Sequence, residues 1–382
     1  MGQYLNPDNE GFCSTVSSQI YVDKTGLLDF LNSVLNTEQR YVCVSRPRRF
    51  GKTIAAKMVA AYYSKGCDSH DLFCGKAIAK AESYEKHINK YNVILLDIAY
   101  MRTKARNATE TLTVLQDAVI EELKEMYPET LKGDYSFLPN ALEKINKELG
   151  ERFIVVIDEW DALFRDDKFD NKAQDAYINL LRGLFKGMQS QNFILLAYIT
   201  GILPIKRYNS ESALNNFWEY TMVSPQRLAP YVGFTEGEVK ALCKRFDMDF
   251  SETRRWYDGY IFNRQEHVYC PNSVTKAMIS GEFSNYWSGT VAYESLKAYI
   301  TLDFEDLQKD IINLLAGGRC KIDADSFQND LTKITNKDHV LTLLIHLGYL
   351  GFDSTTSEVY VPNEEVRNAF SRTIKETDWI PA

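Results

Sequence analysis

Short apolar runs alternate with longer amphipathic segments through the first half of the chain. Four of the runs predict buried strands, at residues 40–45, 92–100, 153–159 and 193–200. Strands that are apolar on both faces are typical of a parallel sheet covered by helices on both sides. The segments around them predict helices at residues 25–36, 52–63, 107–126, 138–149 and 172–190. This alternation predicts an α/β fold.

The pattern changes after Pro230. A helix is predicted over residues 235–246, because Thr235 at its start and Glu238 three positions later form a capping-box signal. A turn signal at residues 258–259 precedes a short strand pair, at 260–262 and 268–269. We interpret residues 233–300 as a small helical lid.

The last part of the chain predicts two helices, at residues 303–316 and 337–347, followed by a β-hairpin. The hairpin strands are residues 349–353 and 358–361, on either side of a polar turn. A final helix follows Asn363, its expected N-cap, and carries Glu364 and Glu365 in its first turn. Helices followed by a hairpin outline a winged helix. We therefore predict three domains: a P-loop core with an N-terminal arm (1–232), the lid (233–300) and a winged-helix-like domain (301–382).

A phosphate-binding loop is predicted between the first strand and the helix at 52–63, where the sequence reads RPRRFGKT. Gly51 can adopt a backbone conformation that leaves its N–H open to a phosphate. The N–H groups of Gly51, Lys52 and Thr53 begin a helix, so they lack helical partners and face an anion. Lys52 would reach the β- and γ-phosphates, and the Thr53 hydroxyl would bind Mg²⁺.

This loop departs from the common pattern G-x-x-x-x-G-K-[ST]. Arg46 stands where the first glycine belongs, and a proline next to it removes one N–H from the loop. The strand before the loop and the helix after it still supply the context that a P-loop requires. The residues expected to contact the nucleotide are Pro47, Arg48, Arg49, Phe50, Gly51, Lys52, Thr53 and Ile54.

Acidic residues end the third predicted strand, in the sequence IVVIDEWD. In P-loop enzymes an acid at this position holds Mg²⁺, which predicts that role for Asp158, and a following Glu can polarise the attacking water, as Glu159 would. Asp161 is expected to be an N-cap or turn residue. Thr200 ends the fourth strand and is either a γ-phosphate sensor or a packing residue. Asp97, after the second strand, is either a site acid or a cap.

Composition narrows the function classes. The net charge of −8 disfavours nucleic-acid binding over the whole protein surface. The seven cysteines and five histidines show no metal-ligand spacing, so small buried thiols in a reducing compartment are expected. The chain has no signal-peptide pattern and no apolar run long enough for a membrane helix, so we expect a cytoplasmic protein without membrane contact.

With these motifs in place, the chain resembles the AAA-ATPase-like family of bacterial and archaeal P-loop proteins over nearly its whole length. The resemblance lies in RPRRFGKT, IDEWD, YITGIL, YVGFTEGEV, WYDGYIF, YCPNSV and GYLGFD through YVPNEEVRNAF, together with IYVDKTGLL near the N-terminus. The loop RPRRFGKT is highly specific to that family, which makes the missing first glycine a family trait.

The resemblance implies a sheet with strand order 5-1-4-3-2, a helical lid and a winged-helix-like tail. It implies that Asp158 binds Mg²⁺, that Glu159 is the catalytic base, and that Tyr21, Asp23 and Lys24 contact the adenine. Many members continue into a nuclease-like domain of the PD-(D/E)xK class. Since no comparable set of acidic and lysine residues is found here, we expect no nuclease activity from this chain.

Three functions follow as hypotheses. The first is Mg²⁺-dependent ATP hydrolysis that drives a conformational or assembly switch, with Lys52, Asp158, Glu159 and Thr200 at the catalytic centre. ATP is favoured over GTP because no guanine-reading NKxD motif follows the fourth strand. The second is a nucleotide-gated regulatory module with little turnover. A hydrolysing core would often need an arginine finger from a neighbouring subunit of a homo-oligomer, and Arg207 and Arg227, after the fourth strand, are the candidates. The third is a module that binds DNA or a protein partner through the C-terminal domain.

Overall fold

The structure is a computed structural model that describes residues 2–167, 170–205, 207–208, 211–212, 214–263, 266–287, 296–302 and 304–375. Contacts divide the chain into two compact units. The first comprises Met1–Val44 and Lys52–Glu219, and the second comprises Ser45–Gly51 and Tyr220–Ala382. The boundary therefore falls inside the predicted phosphate loop.

A five-stranded sheet organises the first unit. Its strands, with two short strands that pair separately, are β1 (Tyr41–Ser45), β2 (Asn92–Asp97), β3 (Phe153–Asp158), β4 (Ile194–Gly201), β5 (Arg207–Tyr208), β6 (Glu211–Ser212) and β7 (Trp218–Tyr220). The order in the sheet is β2-β3-β4-β1-β7, and β2–β3 and β3–β4 are parallel. With β7 as the fifth strand, this is the expected order 5-1-4-3-2. The α/β fold with a P-loop sheet is confirmed.

Helices surround this sheet. They are α1 (Glu10–Val16), α2 (Gly26–Val34), α3 (Lys52–Tyr63), α4 (His70–Phe73), α5 (Tyr84–His87), α6 (Ile98–Thr103), α7 (Ala108–Met126), α8 (Leu138–Leu149), α9 (Ala162–Asp166), α10 (Asn171–Phe185) and α11 (Ser190–Phe193). Both β3 and β4 are buried along their whole length, as their apolar sequences predict.

Two predicted boundaries in the first unit are wrong. The second strand does not reach Tyr100, because Asp97 caps α6 by accepting a hydrogen bond from the Tyr100 N–H at 2.8 Å. Of the two roles expected for Asp97, this hydrogen bond supports the helix cap. The helix predicted to end at Ser190 instead ends at Phe185, before the separate short helix α11.

The second unit contains a three-stranded antiparallel sheet, of strands β8 (Phe234–Thr235), β9 (Tyr260–Phe262) and β10 (Glu266–Tyr269), in the order β8-β10-β9. Three helices accompany it: α12 (Glu236–Phe246), α13 (Phe250–Tyr257) and α14 (Pro271–Ser280). The predicted capping box of Thr235 and Glu238 is present at the start of α12. The segment interpreted as a helical lid thus also has a small sheet, because β8 adds a third strand to the predicted pair.

The chain ends with α15 (Leu307–Leu315), β11 (Cys320–Lys321), α16 (Lys337–Leu347), β12 (Gly351–Asp353), β13 (Glu358–Tyr360) and α17 (Glu364–Lys375). The predicted hairpin is confirmed as β12–β13, and β11 pairs with the other side of β13. Asn363 caps α17 as predicted, with its side chain accepting from the Val366 N–H at 3.0 Å. The start of the helix expected from Asp303 falls at a position outside the described residues. The three-domain division and the winged-helix name stay predictions.

Among the described helices, none combines the length and the apolar character that crossing a membrane requires.

Candidate nucleotide-binding site

In the first unit, α3 begins with Lys52 close to the acidic end of β3. The Lys52 side chain is buried. Burial lowers the pKa of its ammonium group, while the charges of Glu159, Asp161 and Asp158 raise it in part. Burial destabilises this ammonium group, and three nearby carboxylates offset part of that cost. A further anion that contacts its N–H groups would stabilise the charged form.

Asp158 lies at the tip of β3 with 2% of its surface exposed. Burial raises the pKa of its carboxyl group from 3.8 to about 6. A hydrogen bond with the Thr53 hydroxyl and the charge of Lys52 act in the opposite direction and lower this pKa. Its Oδ1 accepts a hydrogen bond from the Glu159 N–H at 3.0 Å. Its Oδ2 is buried without a hydrogen-bond partner among the described residues. A buried carboxylate oxygen of this kind, beside a threonine hydroxyl, fits the oxygen ligands that Mg²⁺ prefers.

Glu159 follows the strand with a positive φ of 51°, which turns its side chain away from the strand direction. Its carboxylate forms an ion pair with the Arg165 guanidinium, which also lies 3.0 Å from Asp161 Oδ2. The Arg165 side chain is only 10% exposed. Although burial opposes its charge, the carboxylates of Asp161 and Glu159 raise the pKa of Arg165. Glu159 is therefore held by a buried cation in this structure.

Asp161 occupies the N-cap position of α9 but makes no capping hydrogen bond there. Its carboxylate instead accepts from the N–H groups of Ile202 and Leu203, at 3.2 and 2.8 Å. Asp161 thus fixes the chain that leaves β4 and anchors Arg165 from the other side. Sequence reasoning missed Arg165; its signal is the spacing of four residues from Asp161, which places the two side chains on one face of a helix.

Thr200 lies beside Asp158 in the register of β3 and β4. Its buried hydroxyl donates a hydrogen bond to the Val44 carbonyl at 3.0 Å, which ties β4 to β1. The parallel register also aligns Asp97 with Asp158. The structure therefore brings together three of the predicted polar strand ends at one edge of the sheet.

The residues of the predicted loop before Lys52 belong to the second unit. Arg46, which replaces the first glycine, is fully buried. Its Nη1 donates to the carbonyls of Ser45 and Tyr220, at 2.9 and 3.1 Å, and its guanidinium lies 4.9 Å from the centre of the Phe262 ring. The arginine at this position is held by protein contacts that a glycine could not make.

The other loop side chains also make contacts in the second unit. Arg49 has a positive φ of 69°, and its Nη1 donates to the carbonyls of Tyr286 and Trp287 at 2.7 and 2.9 Å. The Phe50 ring is buried edge-on against Tyr260.

Three further loop positions fit their expected character. Gly51 has a φ of 91°, the left-handed region that its place in the loop was expected to need. Pro47 packs so closely on Gly348 that a Cβ there would lie 2.8 Å from its ring. Arg48 and Ile54 are exposed.

Two of the N-terminal residues expected near the adenine, Tyr21 and Asp23, contact the segment around residues 76–77. The Lys76 ammonium lies 4.6 Å from the centre of the Tyr21 ring. The Asp23 carboxylate accepts from the N–H groups of Thr25 and Ala77, at 2.9 and 2.7 Å. Lys24 is half-buried. These contacts give Tyr21 and Asp23 structural roles, and the adenine contact stays a prediction.

The chain shows little similarity to curated proteins and to solved structures. A search of curated proteins found no match. Among solved structures, the chain is similar to the ORC2 protein of Aeropyrum pernix in ADPNP–ADP complexes, with 10% identity, a TM-score of 0.36, and 97% of this chain and 98% of that chain covered. It is also similar to PCH-2 of C. elegans, with 11% identity, a TM-score of 0.30, and 96% and 72% covered. At these TM-scores neither similarity supports a functional argument.

The family comparison is more informative. Residues 15–209 match the family model AAA-ATPase_like, whose description is "Predicted AAA-ATPase". The matched segment runs from the N-terminal arm past β4, so it contains Lys52, Asp158, Glu159 and Thr200 and covers just over half of the 382 residues. The chain belongs to the AAA-ATPase-like family.

Proposed function

We propose that this chain binds ATP with Mg²⁺ at residues 46–54 and hydrolyses it, and that hydrolysis drives a conformational or assembly switch. One observation carries the proposal: the start of α3 places Lys52 and Thr53 at the buried carboxylate of Asp158. Family membership supports the choice of nucleotide. A lysine, a hydroxyl and an acid are the three side-chain groups that P-loop enzymes use for the triphosphate and its metal.

Each of these residues has a separate role in the proposal. Lys52 would contact the β- and γ-phosphates, whose negative charge offsets the burial that lowers the lysine pKa. Thr53 and Asp158 would hold Mg²⁺, and Oδ2 of Asp158, which has no hydrogen-bond partner among the described residues, is available for this role. Mg²⁺, when bound, neutralises charge on the phosphates. A cation beside Asp158 would also favour its ionised form, against the effect of burial.

Glu159 is proposed as the general base. A base must have a carboxylate oxygen free to accept a proton from water. In this structure Arg165 pairs with that carboxylate, so Glu159 must leave the ion pair, or share it, before it can act. Thr200 is proposed as the γ-phosphate sensor, and its hydroxyl would then exchange the Val44 carbonyl for a phosphate oxygen.

Calorimetry with Mg²⁺–ATP, with turnover followed in the same samples, tests the proposal. Lys52→Ala is expected to abolish ATP binding. Lys57→Ala is the matched control, because Lys57 is exposed on the same helix. Glu159→Gln is expected to keep ATP binding and lose turnover, with Glu143→Gln, an exposed position on α8, as its control. Equal binding by wild type and Lys52→Ala would refute the site.

A second candidate function is a nucleotide-gated module with little turnover. The Glu159–Arg165 ion pair favours it, since a carboxylate held by a buried arginine has fewer lone pairs open to an attacking water. Arg165→Gln separates the two: under the gated hypothesis it raises turnover several-fold with ATP affinity unchanged. If turnover falls instead, Arg165 assists hydrolysis and the ion pair is not a restraint. The conservative variant Arg165→Lys should restore the wild-type rate in either case.

A homo-oligomer is part of the proposal, because an arginine from a neighbouring subunit often completes such a site. Size-exclusion chromatography with light scattering, with and without Mg²⁺–ATP, tests it. ATP-dependent assembly accompanied by turnover supports the switch, and a monomer under both conditions argues against it. The Arg207 side chain, one candidate finger, lies outside the described residues.

The C-terminal part gives less support to DNA reading than to packing. On α16, every side chain from Val340 to His346 is buried. A recognition helix needs an exposed face that enters a groove. We therefore propose a protein partner, rather than DNA, as what this part of the chain would contact outside its own unit. A salt titration with duplex DNA tests this, because phosphate contacts would give a steep dependence of affinity on salt.

A further inference from the structure

A second group of metal-ligating side chains lies in the second unit, on segments outside the nucleotide site. Glu236 is the first residue of α12, Asp258 follows α13, and His267 is on β10. One ligand atom from each lies within 4.8 Å of the other two. None of the three has a part in the proposed ATP chemistry.

The small sheet explains why these residues meet. β10 pairs with β8 through Val268 and Thr235, which brings the start of α12 beside His267. β10 also pairs with β9, where Val268 faces Tyr260, so the turn just before β9 brings Asp258 to the same place. Three separate segments, within residues 236–267, are thus brought together by backbone pairing.

Two buried oxygen atoms at this cluster have no hydrogen-bond partner among the described residues. One is Oδ1 of Asp258, whose side chain is only 9% exposed. The other is the hydroxyl of the fully buried Tyr269, which shares a face of β10 with His267 because side chains alternate along a strand. Buried polar atoms are rarely left unpaired without a ligand or water to satisfy them.

The neighbouring cations leave these oxygens open. Arg254 Nε and His267 Nδ1 both lie on Asp258 Oδ2, at 3.2 and 2.7 Å, and neither reaches Oδ1. Lys240 pairs with Oε1 of Glu236 at 2.5 Å, which leaves the second oxygen of that carboxylate outside this ion pair. Cations that bind one oxygen of a ligating carboxylate are common as outer partners of metal sites, where they orient the ligand.

We propose that Glu236, Asp258 and His267 bind one divalent transition-metal ion, with Zn²⁺ as the best fit. Imidazole nitrogen and carboxylate oxygen are both ordinary Zn²⁺ ligands, whereas Mg²⁺ and Ca²⁺ favour oxygen alone. Zn²⁺ ligands in a tetrahedron lie about 3.4 Å apart, given bonds of about 2.1 Å. Since the ligand atoms lie within 4.8 Å of one another, no two of them have to approach by more than roughly 1.4 Å, the difference from about 3.4 Å. Glu236 and His267 are partly exposed and can rotate to do so.

Neutral imidazole is the ligand form of histidine. The proton of Nδ1, where the Asp258 hydrogen bond places it, must leave to Nε2 or to solvent before the nitrogen can donate its lone pair. Arg254 then remains the hydrogen-bond donor to Oδ2. The fourth position is open to water.

Zn²⁺ titration calorimetry and metal analysis after dialysis test the proposal on the full chain. The measurement uses the Asp158→Asn background without nucleotide, so that the acid of the nucleotide site does not compete for metal. We expect one Zn²⁺ per chain, with affinity at least tenfold weaker in both His267→Ala and Asp258→Asn. His70→Ala is the matched control, since His70 pairs with the carboxylates of Asp68 and Glu85 but is exposed.

Glu236→Gln keeps the test meaningful if a core variant fails to fold, because Glu236 is partly exposed and glutamine preserves its shape. It is expected to weaken Zn²⁺ binding with an unchanged circular dichroism spectrum. Co²⁺ bound in place of Zn²⁺ gives a visible absorption spectrum. This spectrum should be lost in His267→Ala and kept in His70→Ala. The proposal is overturned if no saturable Zn²⁺ binding is found, if His267→Ala binds as wild type, or if His70→Ala removes the binding.

Discussion

Asp158→Asn should make the nucleotide-free protein more stable at neutral pH while removing an acid of the proposed Mg²⁺ site. Burial raises the folded-state pKa of Asp158 to about 6, from 3.8 in an accessible carboxyl group. The folded chain therefore binds a proton more strongly than the unfolded chain does. The free energy of unfolding falls as pH rises between about 4 and 6, because the buried carboxyl group must ionise.

The size of this effect follows from the shift. A difference of about two pKa units, at about 1.4 kcal/mol each, corresponds to roughly 3 kcal/mol at pH 7. Asparagine keeps an oxygen that can accept from the Glu159 N–H and carries no charge. We expect the variant to gain up to about 3 kcal/mol at pH 7 and almost nothing below pH 4. Mg²⁺-dependent ATP binding should be lost at every pH.

Urea unfolding from pH 4 to pH 8 measures this gain as the difference between variant and wild type. The difference cancels other groups that titrate in the range, such as Glu365 and His346, whose pKa values burial shifts in opposite directions. Amide exchange on β3 reports the first unit separately. Asp117→Asn, exposed on α7, is the control and should change nothing. A pH-independent difference, or a variant less stable at pH 7, would refute the reasoning.

Four further predictions concern the second unit. Burial raises the pKa of Glu365 from 4.5 to about 7, so wild-type stability should fall as pH rises through that window, and Glu365→Gln should remove the fall in urea unfolding. Gly259 has a φ of 119°, and a Cβ there would lie 1.9 Å from the Pro362 carbonyl, so Gly259→Ala should cost more than about 2 kcal/mol in thermal unfolding. Gly237→Ala, in an open helical position, should gain about 0.5–1 kcal/mol by the same measurement. Arg46→Gly restores the common loop pattern yet should weaken ATP binding in calorimetry; unchanged binding would show that its side chain is dispensable.

The sequence predicted what depends on local pattern. Apolar runs identify the strands, and parallel pairing then places Asp158 and Thr200 at one edge whatever the details of the loops. The phosphate loop follows from a strand, a glycine and a helix in order. Helix ends were predictable where caps are local, as at Thr235 and Asn363. Asp97 remained ambiguous because an acid after a strand serves equally as a cap or a ligand, and only its bond to Tyr100 favours the cap.

What the sequence did not show depends on the conformation of turns and on which strands pair. The partners of Arg165 require the turn between β3 and α9, which sets Glu159 at a positive φ. The cluster of Glu236, Asp258 and His267, our proposed zinc site, joins three segments through strand pairing, and no spacing rule for a single stretch of sequence detects it. His267 was therefore passed over among histidines without ligand spacing.

The loop at residues 46–53, which lacks the usual first glycine, also depends on contacts that the sequence does not reveal. A first glycine gives a phosphate loop its shape through backbone freedom alone. Arg46 gives shape in another way, since its guanidinium is fixed by main-chain carbonyls and by the ring of Phe262. Arg49 is fixed in the same manner, by carbonyls at Tyr286 and Trp287. Side-chain contacts that form only in the folded second unit thus replace glycine in ordering this loop, and a reading limited to residues 46–53 would mistake the substitution for loss of the site.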